Sequence, residues 1–457
     1  MRNLIAAIDL GTSKVVCLVG EKTDAGVKII ALSEAPMKGI SRGEVVNIQS
    51  VLDSMTPTIS NVENAIGEKI NEVFIGIAGQ NIRCEQGTNH TTRIIPDELI
   101  TSAEINEITK KMYSTICKDD EEVLHTIPQS YNIDDFMGIT EPVGMNGKQI
   151  FSNYKLFIGK KTSSQLRNNV LKRARLNLKG MILEPLASAK AVLDEEEKEV
   201  GVALLDIGAG TTDLLIVHDN VVRHAAVIPF GGNSITEDLK QGCGVSTKIA
   251  EQLKTVHGSC MSSLAQDKKV RINGIGGRED KEISHKIIAE IIESRVEEIL
   301  EAAMYEIEKS GYKNRINAGL VITGGTSQLA NLKSFSRFIT GMETRLAFPY
   351  KTMSEAEFPI SKPSLSTAVG LILMGFEKIE KEGGRYNATS PINYRETGKD
   401  TTTGNQAASP ATGATSGASA AQPAADKAKE AKEKNKRGWH DFFKQFKEDN
   451  MFTDNEA

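Results

Sequence analysis

The chain has 457 residues, enough for more than one domain, and its hydrophobic (39%) and charged (25%) fractions are those of an ordinary globular protein. Its formal net charge of −5 gives no support to nucleic-acid binding. The five cysteines are scattered without paired spacing, which fits neither a disulfide framework nor a metal site and favours the reducing cytoplasm. No apolar run reaches the roughly 20 residues of a membrane span, so any membrane contact is expected to be peripheral.

Residues 1–383 alternate apolar, strand-like runs with helical patterns, and this alternation predicts an α/β architecture. Near the N-terminus the predicted strands are AAIDLG, VVCLVGE and VKIIALSEA. Further along they are INEVFIGIAG, GVALLDIG, DLLIVHD, NVVRHAAVIPF and AGLVITGG. Long helices are predicted at 165–178 and at 284–311, and in the second the isoleucines recur near helical spacing.

The strongest internal signal is a repeated hairpin, in which AAIDLGTSKVVCLV at 6–19 resembles ALLDIGAGTTDLLIV at 203–217. In both, an apolar strand ends in Asp, an aliphatic residue and Gly, and a turn of small hydroxylated residues leads into a second apolar strand. Glycines let backbone N–H groups approach a phosphate, and an aspartate at a strand end can hold Mg²⁺ through its water shell. The repeat therefore predicts two hairpins that clasp a triphosphate.

A third strand and turn, LVITGGTSQL at 320–329, places a glycine pair and hydroxyl groups before a helix. A helix start rich in backbone donors suits the phosphate or ribose of a nucleotide. The same glycines would also allow close packing of a strand against a helix. The chain contains no GxxxxGK[ST] sequence, so it is not a P-loop protein.

Together these motifs resemble the two phosphate motifs and the adenosine motif of the actin-like ATPase superfamily. Within it, the chain resembles the FtsA family of bacterial cell-division proteins. The similar segments follow in the same order: GISRGEVVNI (39–48), VLHTIPQSYNID (123–134), GITEPVGMNG (138–147), LEPLASAKAVL (183–193), VIPFGGNSIT (227–236), VHGSC (256–260), GIGGR (274–278) and STAVGLILMG (366–375). The resemblance covers nearly all of 1–383. It implies an α/β actin-like ATPase fold, with two related large domains around a nucleotide cleft and an inserted 1C-type subdomain.

The resemblance also implies how the chain is divided into subdomains. The ranges are 1–82, 162–198 and 361–383 for subdomain 1A, 83–161 for 1C, 199–235 and 312–360 for 2A, and 236–311 for 2B. From 384 the composition changes, and the stretch TTTGNQAASPATGATSGASAAQPAA has no large apolar residue with which to form a core. The segment 384–436 is therefore predicted to be a disordered linker.

In the superfamily, ATP and Mg²⁺ lie in the cleft. The resemblance assigns the ATP-binding positions to the two hairpins, the PFGGN turn, the helix IAEQLK and the third motif: Gly11, Thr12, Ser13, Lys14, Gly208, Gly210, Thr211, Thr212, Gly231, Gly232, Asn233, Glu251, Lys254, Gly324, Gly325 and Thr326. Asp9 and Asp206 would organise the Mg²⁺ through water. For Glu251 and Lys254, a solvated helix face is the alternative interpretation.

Glu184 is the candidate catalytic residue. It matches the glutamate that orients the attacking water in hydrolytic members of the superfamily. Because it precedes a proline at a predicted helix start, it would alternatively cap that helix. Hydrolysis is therefore expected to be slow if it occurs.

The implied partners are other protomers in a filament, later division proteins through subdomain 1C, and the C-terminal peptide of the tubulin-like protein FtsZ through subdomain 2B. Because that peptide is partly acidic, Arg295, Lys309 and Lys313 are candidate contacts by charge alone. The implied location is the cytoplasmic side of the cell inner membrane, at the division septum.

The segment 437–450 contains the only tryptophan of the chain and is predicted to be an amphipathic helix. Its aromatic residues stand at i, i+3, i+4 and i+7 and would form one stripe: Trp439, Phe442, Phe443 and Phe446. A basic run precedes the stripe, ending at Arg437, and Lys444 lies beside it. This pattern predicts a helix that lies on an anionic membrane surface. A helix that docks into a groove on a protein would use the same spacing.

Three functions are compatible with these motifs. The one that accounts for most of the sequence is an ATP-binding, actin-fold protein that polymerises beneath the membrane and ties FtsZ filaments to it. A PilM-like scaffold of pilus assembly would also carry a 1C-type subdomain, but it does not explain the aromatic tail. An actin-fold sugar kinase would need a second substrate pocket and would have no use for that tail.

We expect anionic vesicles to blue-shift and strengthen the emission of Trp439, because the indole leaves water for the membrane interface. Added salt should weaken this binding, since the basic run acts through a screened field. Trp439→Glu combined with Phe443→Glu would place charge on the apolar stripe and should abolish vesicle binding while sparing ATP affinity. A spectrum that shifts with an FtsZ-type partner but not with vesicles would favour docking on protein instead.

Overall fold

The computed structural model describes residues 2–115, 117–274, 276, 278–349, 360–384, 386 and 389–391. The helix predicted at 437–450 lies outside the described residues, and so does most of the segment 384–436. The expected membrane-binding residues therefore have no described position: Arg437, Trp439, Phe442, Phe443, Lys444 and Phe446.

The first predicted hairpin forms the middle of a five-stranded sheet. Its strands, in the order of neighbours, are β12 (Asn177–Leu183), β7 (Glu72–Ile77), β1 (Leu4–Leu10), β2 (Lys14–Thr23) and β3 (Gly26–Pro36). β2 is antiparallel to both of its neighbours, β1 and β3, whereas β7 and β12 run parallel to β1. Every residue of β1 is buried because both faces of the sheet are covered. This double burial explains why the strand is a nearly continuous apolar run.

The second predicted hairpin lies in a sheet of the same design. Its strands, in order, are β15 (Val221–Ile228), β14 (Thr212–His218), β13 (Val202–Ile207), β18 (Leu320–Thr323) and β19 (Thr344–Leu346). Again three strands are antiparallel and two are parallel. The register repeats as well, since Asp9 pairs with Val16 and Asp206 pairs with Asp213. The repeat predicted from the sequence is confirmed.

Two helices lie between the sheets, α4 (Glu184–Val192) and α10 (Ser366–Lys381). They share one hydrophobic core with residues from both sheets, including Leu18 of β2 and Leu215 of β14. The helices approach closely at Gly370, where an added Cβ would lie 1.7 Å from the carbonyl oxygen of Ala187. The apolar run AVGLILMGF at 368–376 is thus part of a buried helix.

Further helices pack on the outer faces of both sheets. On the first sheet they are α1 (Ile48–Ile66) and α3 (Lys161–Arg173). On the second sheet they are α6 (Gly232–Cys243), α7 (Thr247–His257), α8 (His285–Lys309) and α9 (Leu332–Thr340). The short helix α5 (Glu195–Val200) precedes β13.

Most predicted elements are present, and one has a wrong boundary. The predicted strands are confirmed as β1, β2, β3, β7, β13, β14, β15 and β18. The helix predicted at 284–311 is α8, which begins where the Ser284 side chain accepts a hydrogen bond from the N–H of Lys286. The helix predicted at 165–178 ends too late, because Arg175 adopts a left-handed conformation (φ 61°) after α3, and Leu178 already belongs to β12.

A four-stranded antiparallel sheet is inserted between β7 and α3. Its strands, in order, are β10 (Phe136–Ile139), β9 (Glu121–Ile133), β11 (Gln149–Lys160) and β8 (Arg83–Thr92). Together with α2 (Ser102–Met112) the sheet forms a separate hydrophobic core. It touches the second large sheet where the Gln129 side chain donates to the carbonyl of Val222 (2.8 Å).

The remaining strands are short: β4 (Ile40–Ser41), β5 (Glu44–Val45), β6 (Glu68–Ile70), β16 (Lys269–Ile272), β17 (Lys281–Ser284) and β20 (Thr389–Pro391). β20 pairs antiparallel with β6, so three residues of the segment predicted to be linker form a strand. Within the described residues, the helices are too short or too polar to cross a membrane.

We expect Gly370→Ala to lower the midpoint of thermal unfolding, because the new methyl group would force α10 away from the backbone of α4. Overpacking of this kind costs about 1–3 kcal/mol. Lys381→Ala, at the exposed end of the same helix, is the control and should leave the midpoint nearly unchanged. Equal midpoints for Gly370→Ala and the unmodified protein would show that the two helices can separate without loss.

Candidate functional site

The turns of the two hairpins, one from each large sheet, meet each other. A Cβ on Gly210 would lie 2.4 Å from the hydroxyl oxygen of Thr12. Gly11 packs within its own turn, where a Cβ would lie 2.9 Å from the carbonyl oxygen of Lys14. The structure therefore brings the two predicted phosphate hairpins together, and only glycine fits at their closest approach.

The PFGGN turn packs on the second hairpin. The N–H of Gly232 donates to the carbonyl of Gly208 (2.9 Å), and the N–H of Asn233 donates to that of Ala209 (2.8 Å). A Cβ on Gly231 would lie 2.6 Å from the Gly208 oxygen. These backbone contacts fix the start of α6 beside the hairpin.

The third predicted motif reaches the same place. Gly324 is left-handed (φ 88°), and a Cβ there would lie 2.4 Å from a carboxylate oxygen of Asp206. Thr326, which follows Gly325, donates its hydroxyl to the carbonyl of Gly208 (2.8 Å). Gly324 at the end of β18 is therefore needed for close approach to the second hairpin, whereas a Cβ on Gly325 would make only an ordinary contact, 3.6 Å from the Cβ of Ser364.

Lys254 is buried, unlike a residue on a solvated helix face. Its amine donates to the carbonyl of Gly232 (3.0 Å) and to the hydroxyl of Thr236 (2.9 Å). Glu251, one turn earlier on α7, pairs with the same amine (2.8 Å). The two residues thus lie directly behind the glycine turn at the start of α6.

Four acidic side chains gather near the two hairpins. Burial raises the pKa of Asp9 to about 7, with a smaller opposing effect of Lys14 and a further rise from Asp206. Burial, together with neighbouring carboxylates, also raises the pKa values of Asp213 and Glu184 well above their usual range. The pKa of Asp206 is raised by burial too. Each of these carboxylates is therefore held where its ionised form is poorly stabilised.

The carboxylate of Asp206 is held by hydrogen bonds, whereas one carboxylate oxygen of Asp213 is not. The hydroxyl of Ser188, on α4, donates to Asp206 (2.5 Å), and so does the hydroxyl of Thr367 on α10 (3.2 Å). One carboxylate oxygen of Asp213 is buried without a hydrogen-bond partner in the protein. A buried, unsatisfied acceptor of this kind is rare and suits a bound cation or water.

Glu184 stands at the first position of α4, and its side chain lies against β7. A Cβ on Gly76 would be 2.8 Å from one of its carboxylate oxygens. Asp9 and Asp213 contribute to the rise of its pKa after burial, while the Arg167 guanidinium opposes that rise. Its carboxylate therefore interacts with the acidic group of the two hairpins as well as standing at a helix start.

Lys14 has partners on its own side of the cleft. Its amine donates to Glu34 of β3 (3.0 Å) and to the hydroxyl of Ser364 (2.9 Å). Thr212 likewise turns its hydroxyl to the carbonyl of Phe230 (2.9 Å), so it supports the PFGGN turn. The side chains of Lys14 and Thr212 therefore already have hydrogen-bond partners within the protein.

The sequence-based list of site residues omitted Asp213, Ser188, Thr367 and Arg167. Asp213 was detectable, because it is a charged residue at the start of an otherwise apolar strand. Arg167 was not, since it lies in a polar helix yet is almost completely buried and donates to the carbonyls of Gly43 and Ala78.

Among the candidate partner-binding residues, Arg295 is buried. Its guanidinium pairs with Asp238 (2.6 Å) and Glu298 (2.7 Å), so its charge is balanced inside the fold. Lys309 and Lys313 are about half-exposed on the surface near the end of α8.

The residues at the hairpins fit a nucleotide with Mg²⁺. The glycine turns have no Cβ that would keep an anion from their backbone N–H groups, and the nearby side chains offer the oxygen ligands that Mg²⁺ prefers. The described part of the chain has no cluster of three or more His, Cys, Asp or Glu arranged to hold a metal ion directly. Contact through water suits Mg²⁺, which gives up its hydration shell reluctantly.

Comparison with known proteins decides the family. The family model "Cell division protein FtsA" matches residues 203–370, and the model "SHS2 domain inserted in FTSA" matches 79–157. The cell division protein FtsA of Pseudomonas aeruginosa is 34% identical over 396 residues, which cover 85% of this chain and 94% of the relative. The chain belongs to the FtsA family. The four-stranded inserted sheet lies in the part of the chain that matches the SHS2 domain inserted in FtsA proteins.

Solved structures place this FtsA-family chain in the actin-like ATPase fold. The PilM–PilN type IV pilus biogenesis complex aligns with a TM-score of 0.57 at 15% identity, covering 81% of this chain and 98% of that one. MreB5 of Spiroplasma citri bound to ADP aligns with a TM-score of 0.52 at 15% identity, covering 84% and 99%. At this identity the two likenesses show the fold alone. The predicted fold class is confirmed.

We expect Asp9→Asn to stabilise the nucleotide-free protein at pH 8 and to have little effect at pH 4. An unfolded Asp ionises near pH 4, whereas burial raises the pKa of folded Asp9 to about 7. Stability should therefore fall as pH rises between these two values and level off above pH 7. The gain at pH 8 should be of the order of 2–4 kcal/mol, measured by thermal unfolding.

Asp24→Asn, at an exposed position, is the control for this experiment. It should leave stability nearly unchanged at both pH values. Equal stabilisation by Asp9→Asn at pH 4 and pH 8 would contradict a raised pKa at Asp9.

Proposed function

We propose that this FtsA-family protein binds ATP with Mg²⁺ between its two large sheets, polymerises on the cytoplasmic face of the inner membrane, and ties FtsZ filaments to that membrane at the division septum. The observation that carries the nucleotide part is the meeting of two glycine turns beside four carboxylates with raised pKa values. A Mg²⁺ ion at this place would put a positive charge beside the carboxylates and favour their ionised forms.

The two hairpins would hold the phosphates through their backbones. At Gly11 and Gly210 the absence of a Cβ would let phosphate oxygens approach the backbone N–H groups. The N–H of Gly208 donates to the carbonyl of Thr211 (2.9 Å), so Gly208 would contribute by allowing phosphate to approach the turn. The hydroxyls of Thr12, Ser13 and Thr211 would add donors. Lys14 would reach phosphate only by leaving Glu34 and Ser364, so we propose that it exchanges partners when a nucleotide binds.

The carboxylates would order the metal's water shell. Asp206 is already oriented by Ser188 and Thr367, and Asp213 has an oxygen without a partner that can accept from a metal-bound water. Asp9 contributes from the first hairpin. When bound, Mg²⁺ supplies charge neutralisation at the phosphates.

We propose that Glu184 orients the attacking water and that ATP hydrolysis is slow. Burial, together with the charges of Asp9 and Asp213, raises its pKa well above the usual range and so favours its protonated form more than in an exposed glutamate. Orienting a water is the main protein contribution to phosphoryl transfer. Because Glu184 is the one feature of this kind in the sequence, we propose at most slow hydrolysis.

The nucleoside would lie on the other side of the second hairpin. Gly324, Gly325 and Thr326 would line the adenine, and the turn Gly231, Gly232 and Asn233 would cover the phosphates. Lys254 and Glu251 are proposed at the ribose and base side. Support comes from the hydrogen bonds that connect Lys254 and Thr326 to the same glycine turns.

The inserted domain is proposed to contact neighbouring protomers and later division proteins. Its edge strand β10 has unpaired backbone groups on one side, and two of its apolar side chains are largely exposed, Phe136 (66%) and Met137 (81%). An exposed apolar edge strand is suited to pairing with another chain. We place the acidic FtsZ peptide near α8, where Lys309 and Lys313 are exposed.

The membrane tether is proposed from the sequence pattern at Trp439, Phe442, Phe443 and Phe446. Several linked copies in a filament would bind a membrane more firmly than one copy, because binding of each further helix becomes intramolecular. The family assignment supports a cell-division role over a pilus scaffold or a sugar kinase.

We expect Gly208→Asp to weaken ATP binding at least tenfold, because a carboxylate would occupy the second hairpin, where a Cβ alone would lie 3.2 Å from the Thr211 carbonyl oxygen. The measurement is a titration with a fluorescent ATP analogue in the presence of Mg²⁺. Glu184→Gln is the matched control: it should retain ATP affinity while reducing any steady-state hydrolysis. Unchanged affinity in Gly208→Asp would exclude the cleft between the hairpins as the ATP site.

A further inference from the structure

Arg42 has an unusual backbone conformation beside the cleft. It lies in the turn between β4 and β5, in the sequence GISRG, and it is left-handed at φ 46°. A residue with a long side chain rarely adopts this conformation, in which glycine is favoured. Strain of this kind is kept where surrounding contacts hold the residue in place, and it often marks a functional position.

The turn is anchored to the first hairpin. The N–H of Gly43, the next residue, donates to the hydroxyl of Thr12 (3.3 Å). The carbonyl of Gly43 accepts from the buried guanidinium of Arg167. A Cβ on Gly43 would lie 3.2 Å from the backbone of Gly79. Arg42 therefore starts from a fixed point next to a predicted phosphate-binding threonine.

From this point the Arg42 side chain reaches the opposite wall of the cleft. Its guanidinium carbon lies 6.0 Å from the ring centre of Phe230, the residue before the glycine turn. Phe230 is fixed by its own carbonyl, which accepts from Thr212 of the second hairpin, and by Arg295, also 6.0 Å from the ring centre. Arg42 thus connects the first hairpin to the wall of the second.

The charge of Arg42 is not balanced by a carboxylate among the described residues. Three other cations near the cleft each have a carboxylate within 4 Å: Lys14 with Glu34, Lys254 with Glu251, and Arg167 with Glu44. The contact of Arg42 with Phe230 is a cation–π interaction, which is weak at an exposed site. The guanidinium can therefore exchange the ring for a stronger partner.

We propose that Arg42 binds the terminal phosphate of a nucleoside triphosphate and so distinguishes the triphosphate from the diphosphate; this rests on the proposed nucleotide site. The guanidinium leaves the Phe230 ring and forms paired hydrogen bonds with the phosphate oxygens, a geometry that arginine provides and lysine does not. Because Arg42 belongs to one half of the molecule and Phe230 to the other, the exchange also changes a contact across the cleft.

The test compares ATP and ADP binding to the full-length protein in Mg²⁺, by titration with fluorescent analogues of each nucleotide. Arg42→Ala is expected to weaken ATP binding about 10- to 100-fold, as for loss of hydrogen bonds to a charged group. ADP affinity should change by less than about twofold. Arg42→Lys should recover only part of the ATP affinity.

Arg42→Gly separates the side chain from the backbone strain. Glycine accepts the left-handed conformation, so this variant should fold at least as well as the unmodified protein in thermal unfolding. It should nevertheless show the same selective loss of ATP affinity as Arg42→Ala. Equal losses of ATP and ADP affinity, or no loss of either, would overturn the role of Arg42. Failure of the unmodified protein to bind either nucleotide would instead overturn the proposed nucleotide site.

Discussion

The contact between the two glycine turns is the constraint on which the rest of the structure depends. At Gly210 and Thr12 the hairpins of two separate sheets approach so closely that a single added carbon atom would clash. Because each hairpin continues a strand ending in an aspartate, this approach also brings Asp9 and Asp206 near each other. The PFGGN turn and the Gly324 turn then pack on the second hairpin through its backbone. Four separate parts of the chain therefore form one site.

The four carboxylates at this contact work against the stability of the fold. Burial raises the pKa values of Asp9, Asp213 and Glu184, and the charge of Asp206 raises all three further. Asp9 also raises the pKa of Asp213, and both of them raise that of Glu184. The fold tolerates this repulsion because the apolar helices α4 and α10 fill the space between the sheets and join both to one core. A stable core beside buried carboxylates that repel one another is typical of proteins in which a bound cation compensates the negative charge.

The two hairpins could be predicted from local sequence motifs, whereas contacts between distant segments could not. Two Asp–aliphatic–Gly turns are recognisable because small residues at fixed spacing determine the turn itself. Ser188 and Thr367 hold Asp206 from helices formed elsewhere in the chain, so no local pattern marks them. Arg295 was proposed as a surface contact on the basis of its charge alone. It is instead buried, where it pairs with two acidic neighbours. The end of α3 was predicted wrongly because an arginine, unlike a glycine, gives no indication that its backbone is left-handed.

The pairing of β20 with β6 has a mechanical consequence. Three residues, Thr389–Pro391, attach the last described part of the chain to Glu68–Ile70, beside the end of α1. A pulling force on the C-terminal end would act first on this short strand, and only after its detachment on α10 and the core between the sheets. Because the strand pairs over only three residues, a small force would detach it and lengthen the chain segment that follows α10. The cleft between the two hairpins would thus be shielded from tension that arises at the C-terminal end.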